Sequence, residues 1–408
     1  MDIRAECCFY PIGQGLFYTM QLRYKGKPIS VVYDCGTLSP REKLRQSISE
    51  FRSLLPTEKG TKRKVLDLLV LSHLHADHIN GLPSLLKNVR VKTVVLPYLC
   101  VTERYLSMLA LDEEDYSLLE FYAQPVEWLI NRFGVERILV MGYPPGAPRD
   151  SLSEKSNESE ERFVYGNEET IDINGTHAGN PPEIRYISYE QAIRIQDKHI
   201  WDFVVFMPKQ GKISTEECED AIEELRKHVA SQGLSKTFAD KSFISKIKAR
   251  CGDILTQNES SVLLAHYPDN PSSSWFFPFH VNLCDTYYCH RHHCFDWLGY
   301  ERFNATLLTG DTQIDSLKEW QKVKNQMFPN HDLYVISVPH HGGTPVTAKW
   351  KSALEPFNAV VSYGLSNSYG HPNIETLKNA SLGDWPFRTR INFVNERHDF
   401  SYTLFINT

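Results

Sequence analysis

The sequence predicts a mixed α/β fold, built as one core with insertions, and three observations predict it. The chain opens on a β-hairpin pattern. Apolar runs of strand length then alternate with segments of helical periodicity. Every histidine- or aspartate-bearing motif stands directly after one of those apolar runs, where a strand hands over to a loop.

Taken in order, residues 6–34 read as paired strands with a turn at Lys25-Gly26-Lys27, and the β-branched run PISVVY ends in Asp34-Cys35-Gly36. Residues 41–55 carry apolar positions at helical spacing. LDLLVLSHLH (66–75) is a strand buried on both faces that runs into a histidine loop. A short helix over NGLPSLLKN, a strand at 91–99, and a further helix and strand within 112–141 continue the pattern. Residues 146–185 are polar, acidic and punctuated by Gly, Pro and Asn, the composition of a solvated insertion. From 214 to 250 two helices are expected, the first capped by Ser214 or Thr215. Strands resume at 260–267, 305–311, 333–341 and 359–364, and INFVNERHDFSYTLFI reads as a closing hairpin. The whole, residues 1–408, is expected as one domain, with one insertion over 146–250 and a Cys/His/aromatic-rich one over 268–300.

Composition sets bounds. An apolar fraction of 41% supports a buried core, and no segment approaches the roughly 20 apolar residues of a membrane span. The start, MDIRAECCFYPIG, lacks the apolar stretch of a signal peptide, so a cytoplasmic protein without membrane contact is expected. Nine scattered cysteines do not read as a disulfide framework, and reduced thiols are the expectation. A net charge of −6 gives no global basic footprint, so a nucleic-acid substrate would need a local groove.

The strongest chemical signal is Ser72-His73-Leu74-His75-Ala76-Asp77-His78, three imidazoles and a carboxylate within six residues. Imidazole nitrogen and carboxylate oxygen are zinc ligands, and a tight loop presenting both can seed two neighbouring sites. His73 and His75 face one ion from extended backbone; Asp77 and His78, after the chain turns, face the other. An exposed histidine cluster is the rival reading. Against it stand Thr309-Gly310-Asp311-Thr312, Val338-Pro339-His340-His341-Gly342-Gly343 and Tyr369-Gly370-His371-Pro372, each just past a β-branched run. Asp311 is well placed as a carboxylate bridging both ions.

The blocks SHLHADH, TGDT, PHHGG and SYGLSNSYGHP, with IGQG and YDCG near the start, resemble the metallo-β-lactamase superfamily, and especially the hydrolase domain of ComEC-type DNA-uptake channels. The resemblance implies a four-layer αββα sandwich with insertions and a dinuclear metal site at one sheet edge. It implies His73 and His75 on the first metal, Asp77, His78 and His371 on the second, and Asp311 on both. Asp34 would lie behind the ligands and orient the histidine loop. His340 and His341 resemble the pair that contacts the scissile phosphate or replaces a metal ligand, and the phosphate role is preferred for one of them. With Asp77 they form the expected catalytic set. The ComEC-type motif usually has aspartate where this chain has His75, which favours Zn²⁺ and leaves Mn²⁺ as the alternative. The superfamily's third histidine at the first metal has no counterpart; Asn258, or a histidine from the insertion, is expected to fill that corner.

That insertion holds Cys284, Cys289, His290, His292, His293 and Cys294. It reads as a zinc knuckle, a packed loop, or a source of one further ligand. His266 reads as a packed strand histidine, and His177, His199, His228, His280, His331 and His398 as ordinary ones.

Two divalent ions lower the pKa of a water between them and neutralise charge on the group attacked, so hydrolysis is the expected chemistry. The His-His-Gly-Gly loop tilts it towards a phosphodiester, through imidazoles beside two cations and glycines that allow close approach. A nucleic acid or nucleotide is the expected substrate, and stand-alone relatives in bacterial anti-phage systems offer an analogy. The basic stretch 241–250 is either part of a nucleic-acid groove or, preferred, the solvated face of a helix. A thioester, lactone or phosphorylated small molecule is the alternative substrate, and a metal-stabilised binding subunit the alternative role.

Overall fold

Lys25 and Gly26 both take positive φ (48° and 75°), the conformation of a two-residue hairpin turn whose twist matches its strands. The computed structural model describes residues 2–143, 163–165, 170–173, 181–196, 200–209, 215–252, 261–269, 303–343, 349–381 and 389–407. Asn258 and the Cys284–Cys294 cluster lie outside them, as do His177, His199, His280, His290, His292 and His293.

The strands of the described residues are, in chain order, Asp2–Phe9 (β1), Gly15–Tyr24 (β2), Lys27–Thr37 (β3), Lys64–Val70 (β4), Val89–Pro97 (β5), Arg137–Met141 (β6), Phe163–Tyr165 (β7), Thr170–Asp172 (β8), Glu183–Ile187 (β9), Ile193–Gln196 (β10), Trp201–Phe206 (β11), Leu263–Pro268 (β12), Phe303–Leu308 (β13), Asp332–Ser337 (β14), Asn358–Ser362 (β15), Arg390–Val394 (β16) and Phe400–Asn407 (β17). They form two sheets, ordered β17-β1-β2-β3-β4-β5-β6-β9-β7 and β16-β15-β14-β13-β12-β11-β10-β8. Between the sheets lies one apolar layer, to which Tyr33, Leu68, Val70 and Val95 contribute from one side and Phe203, Val205, Leu264 and Val335 from the other. A second cluster joins the outer face of the first sheet to the helices Glu42–Leu54, Val101–Ala110, Pro125–Phe133, Glu216–Gln232 and Lys241–Cys251. A third joins the second sheet to Trp320, Val323, Met327, Trp350 and Leu354 of Leu317–Met327 and Lys349–Leu354. The layers are therefore helix, sheet, sheet, helix.

Covered on both faces, the parallel strands β4, β5, β13, β14 and β15 need continuous apolar sequence, which explains runs such as VLDLLV and LYVIS. Two expectations give way. The terminal pair is no hairpin: β16 runs parallel to β15 in one sheet, while β17 pairs antiparallel with β1 in the other. The turn between them crosses the sandwich, because each strand finds an apolar edge on a different sheet. Within 146–250, where an acidic loop and helices are expected, β11 is buried along its whole length beside β12, and β9 extends the first sheet beside β6. The run WDFVVF is too apolar to remain in a solvated segment. Among the described residues no helix is long and apolar enough to cross a membrane.

Candidate metal centre

The C-terminal ends of β4, β13, β14 and β15 meet at one edge of the sandwich, where strand ends of both sheets release loops towards a common point. The edge is stitched by backbone and side-chain bonds: Val262 N–H to Ser72 O (2.7 Å), Tyr33 Oη to Val262 O (2.8 Å), Ser362 Oγ to Gly15 O (2.6 Å) and His340 N–H to Gly310 O (3.1 Å). Gly310 sits at φ 53°, and a Cβ there would stand 2.6 Å from Ser72 Cβ. Only glycine brings the Asp311 loop this close to the histidine loop.

Asp34, fully buried on β3, organises that histidine loop. Its carboxylate accepts from Ser72 N–H (2.7 Å), from Ser72 Oγ–H (2.6 Å) and from His78 Nδ1–H (2.7 Å). With its own proton given to Asp34, Ser72 Oγ accepts from His73 Nδ1–H at 3.0 Å. His341 Nδ1–H donates to Ser362 O at 2.9 Å. Tyr122, from the helix Leu119–Ala123, donates to Leu74 O and fixes the loop's other side. Three imidazoles thus spend Nδ1 on a neighbouring acceptor and turn Nε2 inward. The Nε2 atoms of His73, His78 and His341, and Asp311 Oδ1, are buried with no hydrogen-bond partner.

Buried acceptors without partners are costly, and a cation is the partner that lone pairs of this kind accept. Two groups of ligand atoms, each within 4.8 Å of one another, share one residue: Asp77, His78, Asp311 and His341; and His73, His75 and Asp311. The spacings suit ions lodged between the atoms: His341 Nε2 lies 3.4 Å from Asp77 Oδ2, and His78 Nε2 3.3 Å from Asp311 Oδ1. His73 Nε2 lies 3.6 Å from Asp311 Oδ2. A small cavity of about 10 Å³ is lined by His78, Asp311 and His341 together with the apolar side chains of Phe9, Leu16, Val338 and Val360. The donor set, imidazole and carboxylate around a shared carboxylate, fits two divalent cations.

The electrostatics agree. Burial alone would lift Asp77 and Asp311, yet His78, foremost among the histidines, holds both carboxyls below their usual range. Burial opposes the charge on His78, but Asp311, Asp77 and Asp34 outweigh it and raise its pKa well above that of an ordinary histidine. Burial, then the neighbouring His78, drives His73 the other way. The cluster concentrates anionic oxygen around too little positive charge, which divalent ions supply.

His340 and His371 bound the open side. Both His340 and His341 take left-handed backbone (φ 51° and 53°), which swings consecutive side chains to different places. His341 goes inward beside Asp77. His340 stays 29% exposed, with Nδ1 3.2 Å from Asp311 Oδ2. His371, expected with Asp77 and His78, is outside both ligand groups; its ring centroid lies 5.2 Å from that of His340 and 6.2 Å from that of His341. It is His341 that stands with Asp77, His78 and Asp311 in one of those groups. Gly343 lets the rings of His340 and His371 approach, since a Cβ there would collide with both. Ser72, Ser362, Gln14 and Tyr122 stand outside both ligand groups, and the motifs do not single them out as site residues. The IGQG block points to Gln14; nothing local in sequence points to Tyr122. Lys241 and Arg250 of the basic stretch pair with Glu113 and Glu224 on a helix whose other face is buried. His266 packs in the inter-sheet layer against Tyr18 Oη at 2.6 Å.

Residues 25–149, which carry β3, β4 and the histidine loop, match the family described as the Metallo-beta-lactamase superfamily. The match is confined to this segment, and the two-sheet sandwich of the described residues is consistent with that family's fold. No curated protein matches the chain in sequence. Among solved structures, human tRNase Z, short form (ELAC1), is similar over 97% of this chain and 98% of its own, with 10% identity and a TM-score of 0.39.

Proposed function

We propose that the chain is a dinuclear-metal-dependent phosphodiesterase acting on nucleic acid. The observation that carries the metal reading is the convergence of three inward Nε2 atoms with Asp77 and Asp311 into two groups joined at one carboxylate. His73, His75 and Asp311 would hold one ion, and Asp77, His78, His341 and Asp311 the other, with Zn²⁺ favoured by the histidine-rich set. Bound there, two divalent ions supply Lewis acidity and make a water nucleophilic near neutral pH.

The chain's own residues do the rest. Asp34 and Ser72 keep His78 and His73 in the ligand tautomer, and Ser362 does so for His341. His340, half-open beside Asp311, is positioned to hydrogen-bond a phosphoryl oxygen and to steady the leaving group. Tyr369, 59% exposed with its ring 5.9 Å from that of His371, offers a face on which a base can stack. An exposed aromatic beside a cationic centre suits a nucleotide better than a lactone or thioester. The ComEC-type likeness of the motif blocks supports the same substrate class and, by analogy, a cytoplasmic place in anti-phage defence.

The test is cleavage of single-stranded DNA, RNA and bis-p-nitrophenyl phosphate by purified protein with Zn²⁺ or Mn²⁺, beside Asp77→Ala and His340→Ala. Turnover that depends on added metal and is lost in Asp77→Ala is expected. Absence of phosphodiester turnover, or turnover untouched by Asp77→Ala, overturns the reading.

A further inference from the structure

We infer that His371 is a hydrogen-bond donor to the substrate rather than a metal ligand, and that Gln14 sets it in that role. The inference rests on the metallohydrolase reading only for the identity of the acceptor. Gln14 Oε1 accepts from Gly364 N–H at 3.2 Å, which fixes the orientation of its amide. Its Nε2 therefore faces His371 Nδ1, at 3.3 Å. An amide NH₂ can only donate, so Nδ1 must accept, and the proton of a neutral imidazole resides on Nε2. This is the reverse of His73, His78 and His341, whose Nδ1 atoms donate and whose Nε2 atoms carry the lone pair.

The residue is held firmly enough for that polarity to matter. Asn367 Oδ1 accepts from His371 N–H (3.1 Å) and Asn367 Nδ2 donates to His371 O (2.7 Å). The ring flanks His340 across Gly343, at the open side of the metal groups. A donor there meets anionic oxygen on a bound phosphoryl group, the geometry in which a fixed N–H stabilises developing charge.

Selective ¹⁵N-histidine labelling of the zinc-loaded protein, with His371→Ala identifying the signals, reads the tautomer directly. The Nε2–H form is expected in the parent, and the Nδ1–H form in Gln14→Glu, where a carboxylate oxygen replaces the donor without change of shape. Metal content is expected to stay at the parental level in His371→Ala, while its phosphodiester kcat/KM falls about 10²-fold. Gln14→Glu is expected to lose as much, and the double variant no more. A parental Nδ1–H tautomer, or a lower metal content in His371→Ala, overturns the inference. Because tautomer and metal content are read without turnover, an inactive protein with both as expected would sink the phosphodiesterase reading alone.

A second site lies on the outer helical layer. The buried thiols of Cys218 and Cys251, on the helices Glu216–Gln232 and Lys241–Cys251, stand 2.9 Å apart. This is less than 1 Å beyond a sulfur–sulfur bond. We propose that peroxide converts the pair to a disulfide: two thiols give up two protons and two electrons, one S–S bond forms, and hydrogen peroxide is reduced to two waters. Treatment with hydrogen peroxide should lower the intact mass by about 2 Da and raise Tm by roughly 2–6 °C. Dithiothreitol should reverse both changes, and Cys251→Ser should show neither. An oxygen adduct or an unchanged mass in the parent refutes the proposal.

Discussion

Replacing Asp34 by Asn alters one atom at the point where the histidine loop is anchored. Asn tolerates the left-handed backbone of residue 34 (φ 57°), so the fold should survive. Its Oδ1 can keep the bond from Ser72 N–H, now 2.7 Å. On the other side an NH₂ would face His78 Nδ1 at 2.7 Å and Ser72 Oγ at 2.6 Å, where the native carboxylate accepts from both. Ser72 can rotate its hydroxyl. His78 can relieve the donor–donor clash only by moving its proton to Nε2, the atom it shares with Asp77 and Asp311. Losing that lone pair, or paying to restore it, should weaken zinc binding about 10–100-fold, roughly 1.4–2.7 kcal/mol. Stability of the metal-free protein should change by about 1–3 kcal/mol at most. Competition with a chromophoric chelator gives the first quantity and urea unfolding the second. Asp34→Asn binding zinc as tightly as the parent would refute the claim that this carboxylate sets the His78 tautomer.

Other outcomes follow from neighbouring contacts. Gly310→Ala places a methyl against Ser72 in left-handed backbone and should cost about 2–4 kcal/mol in urea unfolding, far above an exposed Gly→Ala change. Tyr122→Phe removes the bond to Leu74 O and should cost about 1 kcal/mol, with a measurable fall in zinc affinity because the loop loses its brace. Asp77 and Asp311 have folded pKa values below their unfolded ones, so the stability they give the metal-free protein is present above about pH 4 and lost as pH falls through the lower folded values. Asp311→Asn should flatten that acid limb of a stability–pH curve. His78 has a raised folded pKa, so its contribution is complete below about pH 6.5 and lost as pH rises through the folded value. Zinc binding at neutral pH should therefore release protons, measurable by titration in buffers of different ionisation enthalpy.

Much of the fold was legible because strands covered on both faces need continuous apolar sequence, and β4, β13, β14 and β15 advertise themselves in that way. β11 is just as apolar but stands amid polar sequence that masks its strand character. Closeness in sequence suggests a terminal hairpin but does not say which sheet edge each strand will find, and β16 and β17 find edges of different sheets. His73, His75, Asp77 and His78 were singled out because they are contiguous, so a single turn of backbone brings them to one point. Asp311 and His341 were singled out because strand ends in a layered α/β fold converge.

By itself the sequence determined that candidate ligand residues are present and that they follow strands, since residue type and apolar run length are local properties. Only the tertiary structure decided which ones meet. His341 rather than His371 joins Asp77 and His78, because two residues at positive φ throw His340 and His341 to different sides of the loop. The polarity of His78, His341 and His371 is likewise set from afar, by Asp34, Ser362 and Gln14, from 21 to 357 positions away along the chain, while that of His73 is set by its neighbour Ser72, itself held by Asp34. A tautomer depends on which hydrogen-bonding atom faces the ring, and that is fixed only when both sheets have packed.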